Sequence, residues 1–387
     1  MVPSLGALDK GNTQWLFLSF VPLMFIRNLK HINLYNKIIY IYAFFILQCI
    51  ISLVYTNNIN VSIIDLSRHL ILFLLVNLLV SLLKNNKFTF YRISVVISLF
   101  LLYESTASLS PLFHFIYNNG LDFSLISSIN IDSLKGVTGN RNITTASIVI
   151  KLPFVIYSIY YSKPFFKIVF GILLFFPSLS LFIINSRAAL LSLILILLIF
   201  ILTVLINHFK KSLNLLFIVI PITLSVLFAN SLVPDKSLNT AQRIESIEFS
   251  NESSSQRFFL WENAFDYISK NPFIGCGIGN WKIESAAYWG SYGDRYLVPF
   301  HAHNDFIEFT TELGIMGGLT YLILFLFVLY KSLVQYIKTR DLKFLILLLS
   351  LTALFIDSSL NFPFERPIIQ VMFIVLMALN IKYDADE

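Results

Sequence analysis

Apolar stretches of about 20 residues, the length a helix needs to cross a bilayer, recur along the whole of this 387-residue chain. Spans are predicted at about 15–26, 38–55, 63–83, 93–109, 143–160, 165–185, 188–206, 213–230, 314–335, 343–360 and 366–382, the first of them short. The predicted fold class is therefore all-α, a polytopic transmembrane bundle of about eleven (10–12) spans. Composition agrees, with 57% hydrophobic and 13% charged residues. That leaves too little polar surface to cover a soluble fold of this size. A soluble globular enzyme, a disordered chain and a disulfide scaffold are excluded. Cys49 lies in an apolar run and Cys276 in a polar segment, so no disulfide framework is implied. The net charge of +6 is what basic inner loops produce and calls for no nucleic-acid partner. Asp9 and Lys10 precede the first apolar run without a basic leader, so the start does not read as a signal peptide.

Basic residues orient the bundle. Arg27, Lys30, Lys37, Lys84, Lys87, Arg92, Lys163, Lys167, Lys210, Lys211, Lys331, Lys338, Arg340, Lys343 and Lys382 fall on one side, fifteen of the 28. The other side holds thirteen, six of them in one long loop whose charge does not vote. The amino terminus and the long loop are placed outside and the carboxyl terminus inside. Three successive segments follow: an amino-terminal transmembrane bundle of about eight spans over 1–230, a large outer loop over 231–313, and about three carboxyl-terminal spans over 314–387. Residues 110–142 form a second outer loop. The long loop holds Pro234, a serine cluster at 253–255, and an amphipathic stretch in which Phe258, Trp261, Phe265 and Ile268 recur at helical spacing. A helix on or near the outer membrane surface is expected there.

Ionisable groups within spans are costly and mark functional candidates. Asp65, Arg68, His69, Glu104, Arg187, Asp357, Glu365 and Arg366 all fall in the outer half or at outer turns, and Lys151 lies near a span centre. A transporter needs polar groups at the midplane and on the inner side as well, so the asymmetry favours an outward-opening site. Taken singly, several have a simpler reading: Asp65 and Arg68 are three apart and can just pair.

Three further stretches stand out: Asn185-Ser186-Arg187 before an apolar run, SQRFFLWENAFDYISKNPFIGCGIGNW at 255–281, and HAHNDFIEFTTELGIMGG at 301–318. Together and in this order they resemble the O-antigen ligase and polymerase superfamily of bacterial membrane glycosyltransferases. The shared pattern is Arg187; then Arg257 with Trp261, Pro272, Gly275, Gly277 and Gly279; then His303, Asn304, Glu312, Gly314, Ile315 and Gly317. GNRN at 139–142 is similar to a weaker upstream element, with Arg141 where the family often has proline. Family members commonly have one more amino-terminal span.

The resemblance implies a multi-pass protein of the bacterial inner membrane, its long loop periplasmic and containing short helices. It implies transfer of a glycan from a polyprenyl (undecaprenyl) diphosphate carrier to an acceptor hydroxyl, such as that of lipid A-core, without a cofactor or metal. Membrane lipids and these two glycan substrates are the implied partners. Arg187 and Arg257 would hold the diphosphate, since a planar guanidinium suits phosphate oxygens. His303 would be the general base or a protonated phosphate contact. Arg68, Arg141, Lys151, His301 and Asn304 are further substrate-binding candidates. The H-x-H pair at 301 and 303, with Asp305 and Glu308, could also hold a metal, but its spacing is a weak metal signal. The three loop glycines lack a nucleotide loop's Lys-Ser/Thr ending and read as a turn back to the bilayer. Tyr288, Trp289, Tyr292 and Tyr296 could stack on sugars or sit in the headgroup belt. Repeat-unit polymerases and protein O-oligosaccharyltransferases share this chemistry and differ in acceptor. A lipid-linked sugar transporter is the alternative from another class.

Overall fold

A computed structural model describes residues 7–24, 36–85, 88–120, 133–232, 255–288, 291–292, 295–296 and 300–384. Arg27, Lys30, Lys87, Pro234, Trp289, part of the serine cluster and part of the second outer loop lie outside the described residues. The helices are α1 (Ala7–Met24), α2 (Lys37–Ser52), α3 (Ile59–Asn85), α4 (Phe90–Asn119), α5 (Arg141–Tyr161), α6 (Pro164–Ile184), α7 (Arg187–Asn207) and α8 (Leu216–Leu232). They continue as α9 (Ser255–Lys270), α10 (Trp281–Glu284), α11 (Asp305–Thr339), α12 (Leu342–Leu360) and α13 (Pro367–Tyr383). A hairpin pairing Ser291–Tyr292 with Arg295–Tyr296 is the one sheet among the described residues.

Eight described helices are long and apolar enough to cross a membrane, and α2 and α13 are shorter apolar helices. With the short α1, they coincide with the predicted runs, and the chain is an all-α polytopic membrane protein. Helix ends fall where the capping chemistry sits. Asn36 accepts from the Ile38 amide, Thr89 from Arg92, and Asn140 from Asn142 and Ile143. Asn185 closes α6 in the left-handed conformation, which asparagine tolerates at a helix end. The sharp reversal at Asn185-Ser186-Arg187 follows.

The chain forms two compact units, each drawn from three segments. The first comprises 1–13, 87–248 and 332–356; the second comprises 14–86, 249–331 and 357–387.

In the first unit α5 is almost wholly buried. Hydroxyls take up the polar load of its packing: Ser108 bonds Ser180 at 2.8 Å, and Thr138 bonds Thr144 at 2.6 Å. Lys151 of α5 pairs with Glu104 of α4 at 2.9 Å, and Ser147 donates to the other Glu104 oxygen at 2.5 Å. All three groups are buried.

In the second unit α3 packs on α13. Phe45, His69, Phe309, Tyr321 and Phe364 form its aromatic centre. Helix α9 is the amphipathic helix expected over Arg257–Ile268. Its Ala264 packs with Cys276, Trp281 and Ala302, so its apolar face has protein cover at that position. Both cysteines are free and buried.

Candidate active site

The polar stretch after α9 is held by glycine turns and by an interruption of α11. At Gly314 the backbone leaves helical geometry, with φ 72° and ψ 178°. The break frees carbonyls one turn upstream. Cys276 N–H donates to Thr311 O at 3.0 Å, Gly277 N–H to Glu312 O at 2.8 Å, and Ile315 N–H to Pro272 O at 2.9 Å. A Cβ at Gly275 would clash with Thr311 O, and one at Gly314 with Phe273 O. These glycines let two backbones touch, which is the turn expected from the sequence.

The turn then fastens to the loop between α2 and α3. Asn280 Nδ2 donates to Thr56 Oγ1 at 2.6 Å and Ser62 Oγ at 2.7 Å, and its Oδ1 accepts from Asn58 N–H at 2.9 Å. Ser62 Oγ donates to Ile278 O at 2.7 Å, and Trp281 N–H donates to Glu312 Oε1 at 3.2 Å. Beside this join lies a charge square. Arg68 binds Asp65 at 2.6 Å and Glu365 at 2.7 Å; Lys282 binds Asp65 at 3.2 Å and approaches Glu365 at 3.9 Å. Burial works against the Lys282 charge, yet Asp65 and Glu365 override it and raise its pKa. Glu365 is held below its ordinary range; burial opposes this and the Arg68, His301 and Lys282 charges outweigh it.

Gly279 sits at the junction with φ +75°, and a Cβ there would clash with the Asp65 carboxylate. Gly279→Ala is expected to destabilise the protein by roughly 1–3 kcal/mol through backbone strain alone, with the clash added. Gly120 has the same φ of +75° with open space around it. Thermal melting of Gly279→Ala against Gly120→Ala isolates the clash, and equal melting shifts would mean Asp65 yields freely.

The histidines lie at the start of α11. Asn304 caps this helix, its Oδ1 accepting from Phe306 N–H at 3.0 Å and Ile307 N–H at 3.1 Å, while its Nδ2 donates to Ser359 O at 3.1 Å. His301 Nδ1 meets Glu308 Oε1 at 2.7 Å, and the other Glu308 oxygen accepts from Ala302 N–H at 3.0 Å. Burial alone would discharge His301, but the Glu308 carboxylate overcomes it, and the His301 pKa is raised. His303 is the opposite case. Burial, then the positive charges of Arg257, His301 and Arg366, push its pKa down to about 4. Two histidines two residues apart are therefore shifted in opposite directions. Arg257 Nη2 donates to Asn361 Oδ1 at 3.3 Å, and Asn361 Nδ2 donates to Asp357 Oδ1 at 2.5 Å.

The second unit thus brings together Arg68, Arg257, His301, His303 and Asn304. Arg68 is engaged by two carboxylates and Asn304 by its cap, which accounts for both without a substrate. Arg141 and Arg187 each open a helix, α5 and α7, in the first unit, and Lys151 is enclosed by Glu104 and Ser147 there. Tyr288 packs on Trp281 with ring centroids 6.1 Å apart and donates to Asp266 at 3.2 Å. Among the described residues, no three His, Cys, Asp or Glu side chains are grouped to hold a metal ion.

Sequence reasoning missed Phe362, Lys282 and Asn361. Phe362 stacks on His301 with centroids 4.3 Å apart at 12°, and meets His303 edge-on at 4.8 Å and 88°. An aromatic residue in a turn carries no spacing signal, so only the contact reveals it.

The family model described as O-antigen ligase matches residues 172–322. That stretch runs from α6 through the turn and histidines into α11. Two provisionally named polysaccharide ligases are also similar. The one from Rickettsia prowazekii is 31% identical over 126 residues, 31% of this chain and 29% of that protein. The one from Rickettsia felis is 33% identical over 87 residues, 21% of this chain and 20% of that protein. The chain thus matches less than a third of the length of either relative.

Proposed function

We propose, from the match of residues 172–322 to the O-antigen ligase family model, that the chain transfers a glycan from a polyprenyl diphosphate carrier to an acceptor hydroxyl at the outer face of the bacterial inner membrane. The observation that carries this reading is His303, an unprotonated imidazole whose surroundings include the cations Arg257, His301 and Arg366. A neutral imidazole can take a proton, and clustered cations suit a diphosphate leaving group.

In the reaction the acceptor oxygen attacks the anomeric carbon of the donor sugar. The bond from that carbon to the phosphate oxygen breaks, and its electron pair leaves on the lipid diphosphate. His303 accepts the proton released by the acceptor hydroxyl. Arg257 and protonated His301 stabilise the charge gathering on the diphosphate, where a guanidinium fork and a charged N–H are strong donors. Arg187 takes the same role on the strength of the family motif. The acceptor is lipid A-core in this reading. A growing glycan chain or a protein hydroxyl would use the same bond changes.

The test is transfer by the purified full chain in nanodiscs, with undecaprenyl-diphosphate-linked glycan, chelator, and lipid A-core, glycan or protein offered separately. Product on lipid A-core with chelator present is expected. A folded sample that acts on no acceptor overturns the reading, and product that requires an added divalent cation overturns its metal independence.

A further inference from the structure

The turn from Asn361 to Arg366, between α12 and α13, lies beyond residues 172–322 and contributes two groups that no motif assigns. The Phe362 ring is in contact with both histidines, stacked on one and edge-on to the other. The Arg366 guanidinium lies over the same ring, 4.9 Å from its centroid. Such stacking fixes a guanidinium in place without using its donors.

Nearby carboxylates are taken up elsewhere. Glu365, its chain neighbour, is bound by Arg68 at 2.7 Å, and Asp357 is bound by Asn361 at 2.5 Å. Among the described residues Arg366 has no ion-pair partner, and its Nε is buried without a hydrogen bond. Leaving a guanidinium donor unused in a buried place is costly unless an anion completes it. Its charge also bears on both histidines.

We propose that Arg366 is a further cation for the leaving diphosphate, and that Phe362 is the positioning residue that sets Arg366, His301 and His303 around one ring. The proposal rests on the transferase reading above and adds to it residues from a different turn. Arg257 approaches from the α9 side, Arg366 from the start of α13, and His301 from the start of α11. Three elements thus converge on one anion, which holds both phosphates more rigidly than a single element could.

Binding of farnesyl diphosphate to the full chain in detergent tests it, with the uncharged farnesol as the reference for the lipid tail. Arg366→Gln is expected to weaken diphosphate binding at least about tenfold, as loss of a charge-assisted hydrogen bond does, and to leave farnesol binding unchanged. Arg366→Lys keeps charge without the fork and is expected to fall between. Phe362→Leu is expected to lower turnover and to raise the acid limb of the pH–rate profile, because His303 loses a fixed cation nearby; Phe362→Tyr restores both. Lys270→Gln, an exposed change, serves as the unaffected control. Unchanged diphosphate affinity in folded Arg366→Gln and Arg366→Lys overturns the role of Arg366. An unmoved acid limb in folded, active Phe362→Leu overturns that of Phe362. A parent protein that binds no diphosphate overturns the transferase reading itself, and this proposal with it.

Discussion

Replacing His303 with alanine is expected to reduce glycan transfer by roughly 10²–10⁴-fold, the range for loss of a positioned general base, with the protein still inserted and folded. A transporter of lipid-linked sugars would keep most of its activity in the same variant, so retained transport without transfer would overturn the assignment. The pH dependence gives the role a sharper signature. In the free enzyme burial, then three neighbouring cations, hold the His303 pKa at about 4, so the acid limb of kcat/KM is expected near that value. A bound diphosphate neutralises the cations and raises His303 basicity, so the limb of kcat lies at higher pH. On the alkaline side His301 loses its proton above a raised pKa, one cation disappears, and the rate falls. Rates from pH 4 to 9 in nanodiscs check both limbs. Stability follows the same signs. The lowered His303 pKa means that the unfolded chain binds more protons between about 4 and its ordinary value, so stability rises with pH across that window and is lost as pH falls through it. The raised His301 pKa adds stability that is present below the ordinary histidine value and is lost as pH rises through the raised one.

Glu104→Ala is expected to destabilise the protein by roughly 3–5 kcal/mol, because it leaves Lys151 as a buried charge without its counter-ion. Lys151 and Glu104 are 5% and 0% exposed in their side chains, so water cannot replace the partner. Replacing both, as Glu104→Leu with Lys151→Met, is expected to restore the melting temperature, since a buried pair can often be exchanged for apolar side chains without loss. The double variant also decides the role of Lys151. If the pair is structural, transfer survives; if Lys151 binds substrate, the double variant melts normally and is inactive. Thermal melting in detergent and the transfer assay together read both outcomes.

The spans were legible because a helix in lipid must be apolar along its full length, and the chain shows that at every crossing. The caps at Asn36, Thr89 and Asn140 were equally local. The in-span charges were legible as exceptions but not as partners. Asp65 and Arg68 pair as their spacing allows, whereas Lys282 and Glu365 join them from distant parts of the chain. Lys151 stood out by depth, and its partner Glu104 lies 47 residues away. The loop glycines were read as a turn, but their use depends on the break at Gly314 and on Thr56 and Asp65, which no local pattern encodes. Phe362 remained hidden because aromatic residues are common in this chain and its role lies wholly in what it touches. The two interleaved units were hidden for the same reason: long-range contacts, not chain order, define them.

The backbone of His303 has φ 52°, the left-handed region that costs a side-chain-bearing residue roughly 1–2 kcal/mol relative to glycine. Glycine would occupy this position more comfortably and would do no chemistry there. Selection of variants for heat resistance alone would therefore favour discarding the imidazole. An engineering effort on this protein has to screen for turnover and melting together, because at residue 303 the two requirements pull in opposite directions.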